Sequence, residues 1–248
     1  MKLTVLGCAG SFPGPDSPCS AYLVEADDFR LLIDFGTGSM SSLQRHASLH
    51  CIDAIILTHL HCDHMLDACS YMVVRRYAPE GHYPPIPLYG PAGSARRILD
   101  AYGHAEGPVD DVYTCHDLAP GKLTVGPFTV TVDQVSHPVE TYGLRLEHHG
   151  KTLAYSSDSA PCDQLTELAR DADLFLCEAS YLDGATNPPG LHLTGGEAGR
   201  IAAAAGARRL VLTHLVAAWG DEQRTLDAAH AAFDGPIDVA RPGAQYLL

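Results

Sequence analysis

Apolar positions along the chain fall into two regimes. Near the N-terminus, short apolar runs at residues 3–6, 21–25 and 30–34 are separated by a Gly-, Pro- and Ser-rich stretch, 7–20, so they read as strands around a long loop. Residues 52–58 form a compact apolar run bounded by polar residues, a buried strand that stops directly before His59. Residues 64–77 read as a helix, and 91–102 as a second helix opened by proline. A polar stretch follows, then strands at 123–125 and 128–135, then a hairpin in which 144–147 and 152–155 flank a turn at 148–151. The second half alternates: helix 162–170, strand 174–177, helix 197–205, strand 209–213, helix 222–233, and closing strands. Strands early and alternating units later predict an α/β protein with mixed sheets covered by helices. No internal repeat, low-complexity tract or linker interrupts the pattern, so residues 1–248 read as one domain.

Composition narrows the class. Hydrophobic residues make up 46% of the 248 and charged residues 19%, values of a soluble globular protein and not of a disordered or collagen-like one. A folded chain of this length buries roughly 70 to 75% of the surface its unfolded form exposes, so it needs no metal merely to fold. Any metal site must therefore have a functional reason. No apolar run approaches the roughly 20 residues of a membrane helix. The opening MKLTVLGCAG reads as a strand without a signal-peptide core, so the expected compartment is the cytoplasm and no membrane partner is expected. Thirty acidic against sixteen basic residues give a net charge of −14, which opposes attraction to a polyanion, so extended nucleic acid is not an expected partner. The eight cysteines contain no Cys-x-x-Cys pair and read as reduced, mostly buried thiols.

Of fourteen histidines, six occupy positions with a chemical rationale. The segment His59-Leu60-His61-Cys62-Asp63-His64 follows a strand and opens a helix, so it changes direction while presenting nitrogen and oxygen donors at one place. In an extended stretch His59 and His61 point to the same side, and Asp63 and His64 turn to a second position once the helix begins. Imidazole and carboxylate donors suit zinc, with manganese or iron as alternatives, and a catalytic metal keeps one coordination position open for water. The plain alternative, a surface histidine cluster at a helix start, does not account for four donors in six residues at a strand end. His137, Asp158 and His214 each stand at the end of an expected strand, and taken singly each reads more readily as a capped turn or a satisfied core polar group than as a ligand.

With the H-x-H-x-D-H signature complete, the chain resembles the metallo-β-lactamase superfamily. The resemblance extends from Gly7 to His214: His137 in Val135-Ser136-His137-Pro138 is similar to the next ligand motif, Asp158 to the bridging aspartate and His214 to the final histidine. It implies a four-layer αββα sandwich with two divalent metal ions at the edge of the sheets. By that likeness His59, His61 and His137 would hold one ion, Asp63, His64 and His214 the other, and Asp158 both. The other eight histidines, His46, His50, His82, His104, His116, His148, His149 and His230, lack the strand-end context and read as surface or packing residues.

Two further motifs point to a branch. Glu178-Ala179-Ser180 after a strand and His192-Leu193-Thr194 before a helix resemble the H-E-A-T and H-x-T motifs of the tRNase Z (RNase Z)-like branch. The likeness makes His192 the general acid that protonates a leaving oxygen while a metal-bound hydroxide attacks phosphorus, with Glu178 orienting it and Asp63 assisting. The plain reading of His192 is a turn cap. Two departures bear on substrate. The tRNA-binding enzymes of the branch carry a basic arm between the third histidine motif and the bridging aspartate, whereas here only residues 138–157 intervene, with two basic residues, Arg145 and Lys151. The usual small residue three places after the signature histidine is here Asp67. Both favour a small phosphodiester, so the chain looks most like the arm-less cyclic-nucleotide phosphodiesterases. The loop 7–20 is a candidate pocket wall through its backbone N–H groups and Ser11 or Ser20, or a plain strand connection. The enzyme alternatives are a tRNA 3′-end endonuclease, for which a homodimer partner would have to supply basic surface, and a thioester, lactone or lactam hydrolase. A non-catalytic metal-dependent sensor would be expected to lack a ligand or the acid, and none is missing.

Overall fold

A computed structural model describes residues 1–103 and 109–248. In chain order β1 (Lys2–Gly7), β2 (Ala21–Ala26), β3 (Phe29–Ile33), β4 (Ala54–Ile56), β5 (Ile86–Gly90) and β6 (Tyr113–Asp117) build one sheet. A second sheet follows from β7 (Gly121–Val125), β8 (Phe128–Gln134), β9 (Tyr142–His148), β10 (Lys151–Tyr155), β11 (Leu174–Glu178), β12 (Leu210–Thr213) and β13 (Ile237–Val239). The last strand, β14 (Gln245–Leu247), returns to the first sheet beside β1. Each sheet begins as an antiparallel meander and ends in parallel strands: β3 to β6 in the first, β10 to β13 in the second. Parallel strands need crossovers, and the helices supply them: α1 (Ser39–Leu43), α2 (Cys62–Met65), α3 (Asp67–Arg76), α4 (Ser94–Tyr102), α5 (Asp163–Leu168), α6 (Gly195–Ala205) and α7 (Glu222–His230).

Three apolar cores stack in four layers. Leu3, Val5, Val24 and Ile33 of the first sheet meet Val130, Leu144, Leu153 and Val211 of the second. Behind the first sheet, Leu23, Leu32 and Ile55 pack under Leu43, Met72 and Ile98 of the helices. Behind the second, Phe175, Leu210 and Leu212 pack under Leu165, Ala202 and Ala229. The architecture is the αββα sandwich. Strands β11 and β12 are buried along their whole length because both faces are covered, which is why they read as continuous apolar runs. Each fully buried Leu, Ile, Val or Phe contributes about 1.5 to 3 kcal/mol, so these cores, and not a polar site, hold the chain together.

Local differences from the sequence reading have identifiable causes. The helix expected over 64–77 is two helices, α2 and α3, because Asp67 N–H donates to Phe35 O at 2.9 Å instead of continuing the helical ladder. The helix expected from Pro91 begins at Ser94, with Gly93 in the left-handed region at φ 89° and Pro91 in the turn before it. Strand β6 lies in the stretch read as polar: it is the edge of its sheet, so only Tyr113 is buried and the alternation is weak. The cysteines are free, yet only Cys8, Cys19, Cys69 and Cys177 are buried, while Cys51 and Cys62 are exposed. Residues 138–157 form the β9–β10 hairpin within the sheet. Arg145 is spent on Glu147 and the carbonyls of Leu168 and Arg170, and Lys151 on Asp173. No helix among the described residues is long and apolar enough to cross a membrane.

Candidate metal centre and acid

The topology brings the chemistry to one edge. β3, β4, β8, β10, β11 and β12 all point their C-terminal ends the same way, and directly at or after those ends stand Asp34, His59, His137, Asp158, Glu178 and His214. The turn into α2 adds His61, Asp63 and His64. Donor atoms of His59, His61, His137 and Asp158 lie within 4.8 Å of one another, and so do those of Asp63, His64, Asp158 and His214. Asp158 belongs to both groups. All seven residues read from the sequence as ligands are thus brought together.

Close packing there demands close backbone approaches. A Cβ on Gly36 would lie 1.9 Å from Asp63 O, and one on Gly10 would lie 2.4 Å from His214 O, so only glycine fits at either place. Four non-glycine residues at this edge hold positive φ: Ser11 at 63°, Asp34 at 57°, Ser157 at 55° and His214 at 60°. Strain of this kind persists where surrounding contacts over-determine it.

The hydrogen bonds fix which imidazole nitrogens face outward to a partner and which face inward. His64 Nδ1–H donates to Asp34 Oδ2 at 2.8 Å, and His137 Nδ1–H to Leu191 O at 3.0 Å. His214 Nδ1–H donates to Ser180 Oγ at 2.8 Å, while that hydroxyl donates onward to Glu178 Oε2 at 2.9 Å. His59 Nδ1 lies 3.3 Å from Thr58 Oγ1, whose own proton serves Asp34. With Nδ1 engaged, each of these four rings turns its Nε2 inward. The inward nitrogens lie at short range: His64 Nε2 to His214 Nε2 is 3.2 Å, His59 Nε2 to His61 Nδ1 is 3.1 Å, and His137 Nε2 to His61 Nδ1 is 3.3 Å. Nitrogens so placed repel one another unless a proton or a metal cation lies between them. Asp158 Oδ1 makes the same demand, for it is buried and receives no hydrogen bond.

Charge agrees with geometry. Asp34, Asp63, Asp158 and Glu178 are buried together, and their ion-pair partners among the described residues are histidines, with no lysine or arginine. Buried carboxylates require compensating positive charge. Burial lowers the pKa of His59, His61 and His137, keeping them neutral and fit to ligate. At His64 burial is outweighed by the Asp158 and Asp34 carboxylates, which raise it, and at Asp158 burial is outweighed by His214 and His64, which hold it low. The donor set fits divalent metal.

Beside this centre His192 donates from Nδ1 to Glu178 Oε1 at 2.8 Å. Burial works against a charged ring, but that hydrogen bond and the charges of Glu178, Asp158 and Asp63 push its pKa up to about 8. Glu178 is itself fixed by Ser159 N–H at 2.8 Å and by Ser180. Thr194 of the same motif caps α6: its hydroxyl accepts from Glu197 N–H at 3.2 Å and Glu197 returns the bond to Thr194 N–H. Asp63 makes no hydrogen bond to His192 among the described residues. It accepts from Ser11 N–H at 2.9 Å and lies 3.2 Å from His214 Nε2, and orientation of His192 falls to Glu178.

Chain-wide matches agree with this geometry. A profile of the β-lactamase superfamily domain matches residues 29–215. The chain belongs to the metallo-β-lactamase superfamily. An uncharacterized protein of Mycobacterium tuberculosis is 44% identical over 96% of this superfamily member and 88% of its own length. The probable metallo-hydrolase YhfI of Bacillus subtilis is 31% identical over 98% of both chains, and its crystal structure superposes with a TM-score of 0.88, covering 99% of this chain and 98% of YhfI. Ribonuclease Z of Myxococcus xanthus is 29% identical over 98% of this chain and 96% of its own. The protein is a metallo-hydrolase of this superfamily.

Three groups at the site escaped the sequence reading or changed meaning. Asp34 was read only as the end of a strand, though its place at a strand end is the signal the ligands share. Ser180 links His214 to Glu178. Asp67, read as a departure bearing on substrate, accepts from Met40 N–H at 2.7 Å and so caps α1, a structural task. Of the loop 7–20, Ser11 spends its N–H on Asp63, and Ser20 is buried at the start of β2. Among the remaining histidines, His50 stacks on Tyr83, His116 on Tyr89, and His148 bonds Asp27, while His104 lies outside the described residues.

Proposed function

We propose that the protein is a phosphodiesterase using two divalent cations, zinc foremost, to hydrolyse cyclic nucleotides or similar small phosphodiesters. The observation that carries the reading is His192, locked by Glu178 and set beside His137 and His214 of the two donor clusters, with no hydrogen bond at its Nε2 among the described residues. Bound cations would supply charge neutralisation at phosphorus and a water ionised at neutral pH. His59, His61, His137 and Asp158 would hold one, and Asp63, His64, His214 and Asp158 the other. The chain's remaining task is at the leaving oxygen. An alkoxide leaves poorly without a proton, and His192 holds one at neutral pH because Glu178 stabilises the imidazolium. Carbonyl substrates with good leaving groups have no need of that residue. The Arg145 and Lys151 side chains, tied to their own sheet, and the net charge of −14 support a small substrate over a tRNA.

A parallel panel tests this: cyclic AMP, cyclic GMP, 2′,3′-cyclic nucleotides, a precursor tRNA and a β-lactam, each in Zn²⁺- or Mn²⁺-supplemented buffer. Turnover of at least one cyclic nucleotide with negligible tRNA cleavage is expected. Efficient tRNA cleavage at physiological salt would instead make the protein a ribonuclease Z in activity, as its Myxococcus relative is named, and β-lactam turnover alone would discard phosphoryl chemistry.

A further inference from the structure

We propose that Phe12 and Trp219 form an aromatic platform at the mouth of the metal centre that stacks on the nucleobase of a small nucleotide, an assignment that rests on the phosphodiesterase reading. Trp219 is the chain's single tryptophan and is 65% exposed, and Phe12 is 37% exposed. Their rings meet edge to face at 5.1 Å and 62°. Scattered exposed apolar side chains need no explanation, but a pair built from two separate loops does.

Both loops belong to the site. Residue 12 lies one position after Ser11, whose N–H binds Asp63 Oδ2 at 2.9 Å. Backbone and side-chain reach then place the Phe12 ring no farther than about 12 Å from that carboxylate, comparable to the span from phosphate to base in a mononucleotide. Trp219 lies five positions after His214, in a turn closed by the Trp219 and Gly220 N–H groups on Val216 O at 3.3 and 2.7 Å. The loops are zipped where Gly10 N–H donates to Leu215 O at 3.2 Å and Ala9 pairs with Leu215. The two loops that carry the pair are thereby joined beside Asp63 and His214.

Its chemistry selects the ligand class. Neither residues 8–20 nor 214–221 contain a lysine or arginine, and both contain aspartate, Asp16 and Asp221. Such loops attract no further phosphates, whereas a flat neutral base has a π-face that an aromatic ring accepts irrespective of sequence. One base beyond one phosphate is the ligand these loops fit.

The test uses the metal-saturated full chain. Trp219→Ala should raise KM for the best cyclic nucleotide roughly 5- to 150-fold, the range for loss of one base stack, with a much smaller effect on kcat. The loss should exceed that on an abasic cyclic ribose phosphate by the same factor, and Trp219→Phe should restore most of it. Because there is one tryptophan, adenosine 5′-monophosphate should quench the protein's fluorescence and ribose 5-phosphate should not. Equal losses on the abasic and nucleotide substrates, or no quenching, would overturn the platform. So would a dimer that Trp219→Ala dissociates, since the pair would then be a subunit contact. A wild-type protein that hydrolyses no cyclic nucleotide overturns the functional reading separately, and the quenching experiment still decides the platform.

Discussion

Asp34 takes hydrogen bonds from Thr58 N–H and Oγ1–H, from His64 Nδ1–H and from Tyr155 OH, all while wholly buried and at φ 57°. It is sealed from solvent, yet it sets the ring of a proposed ligand. Asparagine tolerates the left-handed region, so Asp34→Asn should leave the backbone in place and weaken only the acceptor function. A partner of this kind is worth about 10- to 100-fold in metal affinity. Competition with a chromophoric chelator should show that loss with unchanged circular dichroism, whereas undiminished affinity would mean that packing alone orients His64. His192 makes a second case. Its pKa, pushed up to about 8, means that the proton-donating form prevails below that pH and is lost above it. Activity on cyclic nucleotides should therefore decline as pH rises through about 8. His192→Ala should cost roughly 10²- to 10⁴-fold with metal content intact. The loss should shrink for a nitrophenyl diester, whose leaving group departs unprotonated. Equal losses on both substrates would leave His192 a structural role only.

At the level of elements, the acid depends on the start of α6. Thr194 caps that helix two residues after His192, and Asp183 braces the same corner through Thr194 Oγ1 at 2.9 Å and Gly196 N–H at 3.0 Å. Removing an N-cap costs about 1 kcal/mol, which in a chain of this size lowers Tm by about 2 to 4 °C. Thr194→Ala should show that shift together with a fall in kcat and an unchanged metal stoichiometry. If kcat stayed at the wild-type value, the Glu178 bond alone would suffice to place His192. The same elements show what a sequence discloses. Strands buried on both faces, such as β11, were legible as apolar runs, and the proposed ligands were legible because most of them stand where such runs end. The edge strand β6 was hidden by its solvent-facing polar residues, and the break between α2 and α3 by a bond to Phe35 that exists only once β3 and α2 meet. Asp34 and Ser180 stayed invisible as site residues for a related reason: each acquires its role from a histidine 30 or 34 residues away.

Across the whole molecule, stability and function occupy different places. The three apolar cores lie between and outside the sheets, whereas the buried carboxylates and inward-facing imidazoles are confined to one edge. Stripping divalent cations should therefore abolish activity without unfolding the chain at 25 °C. Two cations would also offset four of the fourteen net negative charges, so their loss leaves the edge more strongly self-repelling. A ligand present at a thousand times its dissociation constant stabilises the folded state by about 4 kcal/mol. At 2 to 4 °C per kcal/mol, chelation should then lower Tm by about 8 to 16 °C. Elemental analysis before chelation should find close to two metals per chain, and differential scanning calorimetry of the stripped and reloaded protein should recover the higher transition. A stripped protein that loses its far-ultraviolet dichroism at 25 °C would contradict the separation, because the cations would then be holding the sheets together. A reproducible single equivalent of metal, unchanged by added Zn²⁺ or Mn²⁺, would remove the bridging role of Asp158.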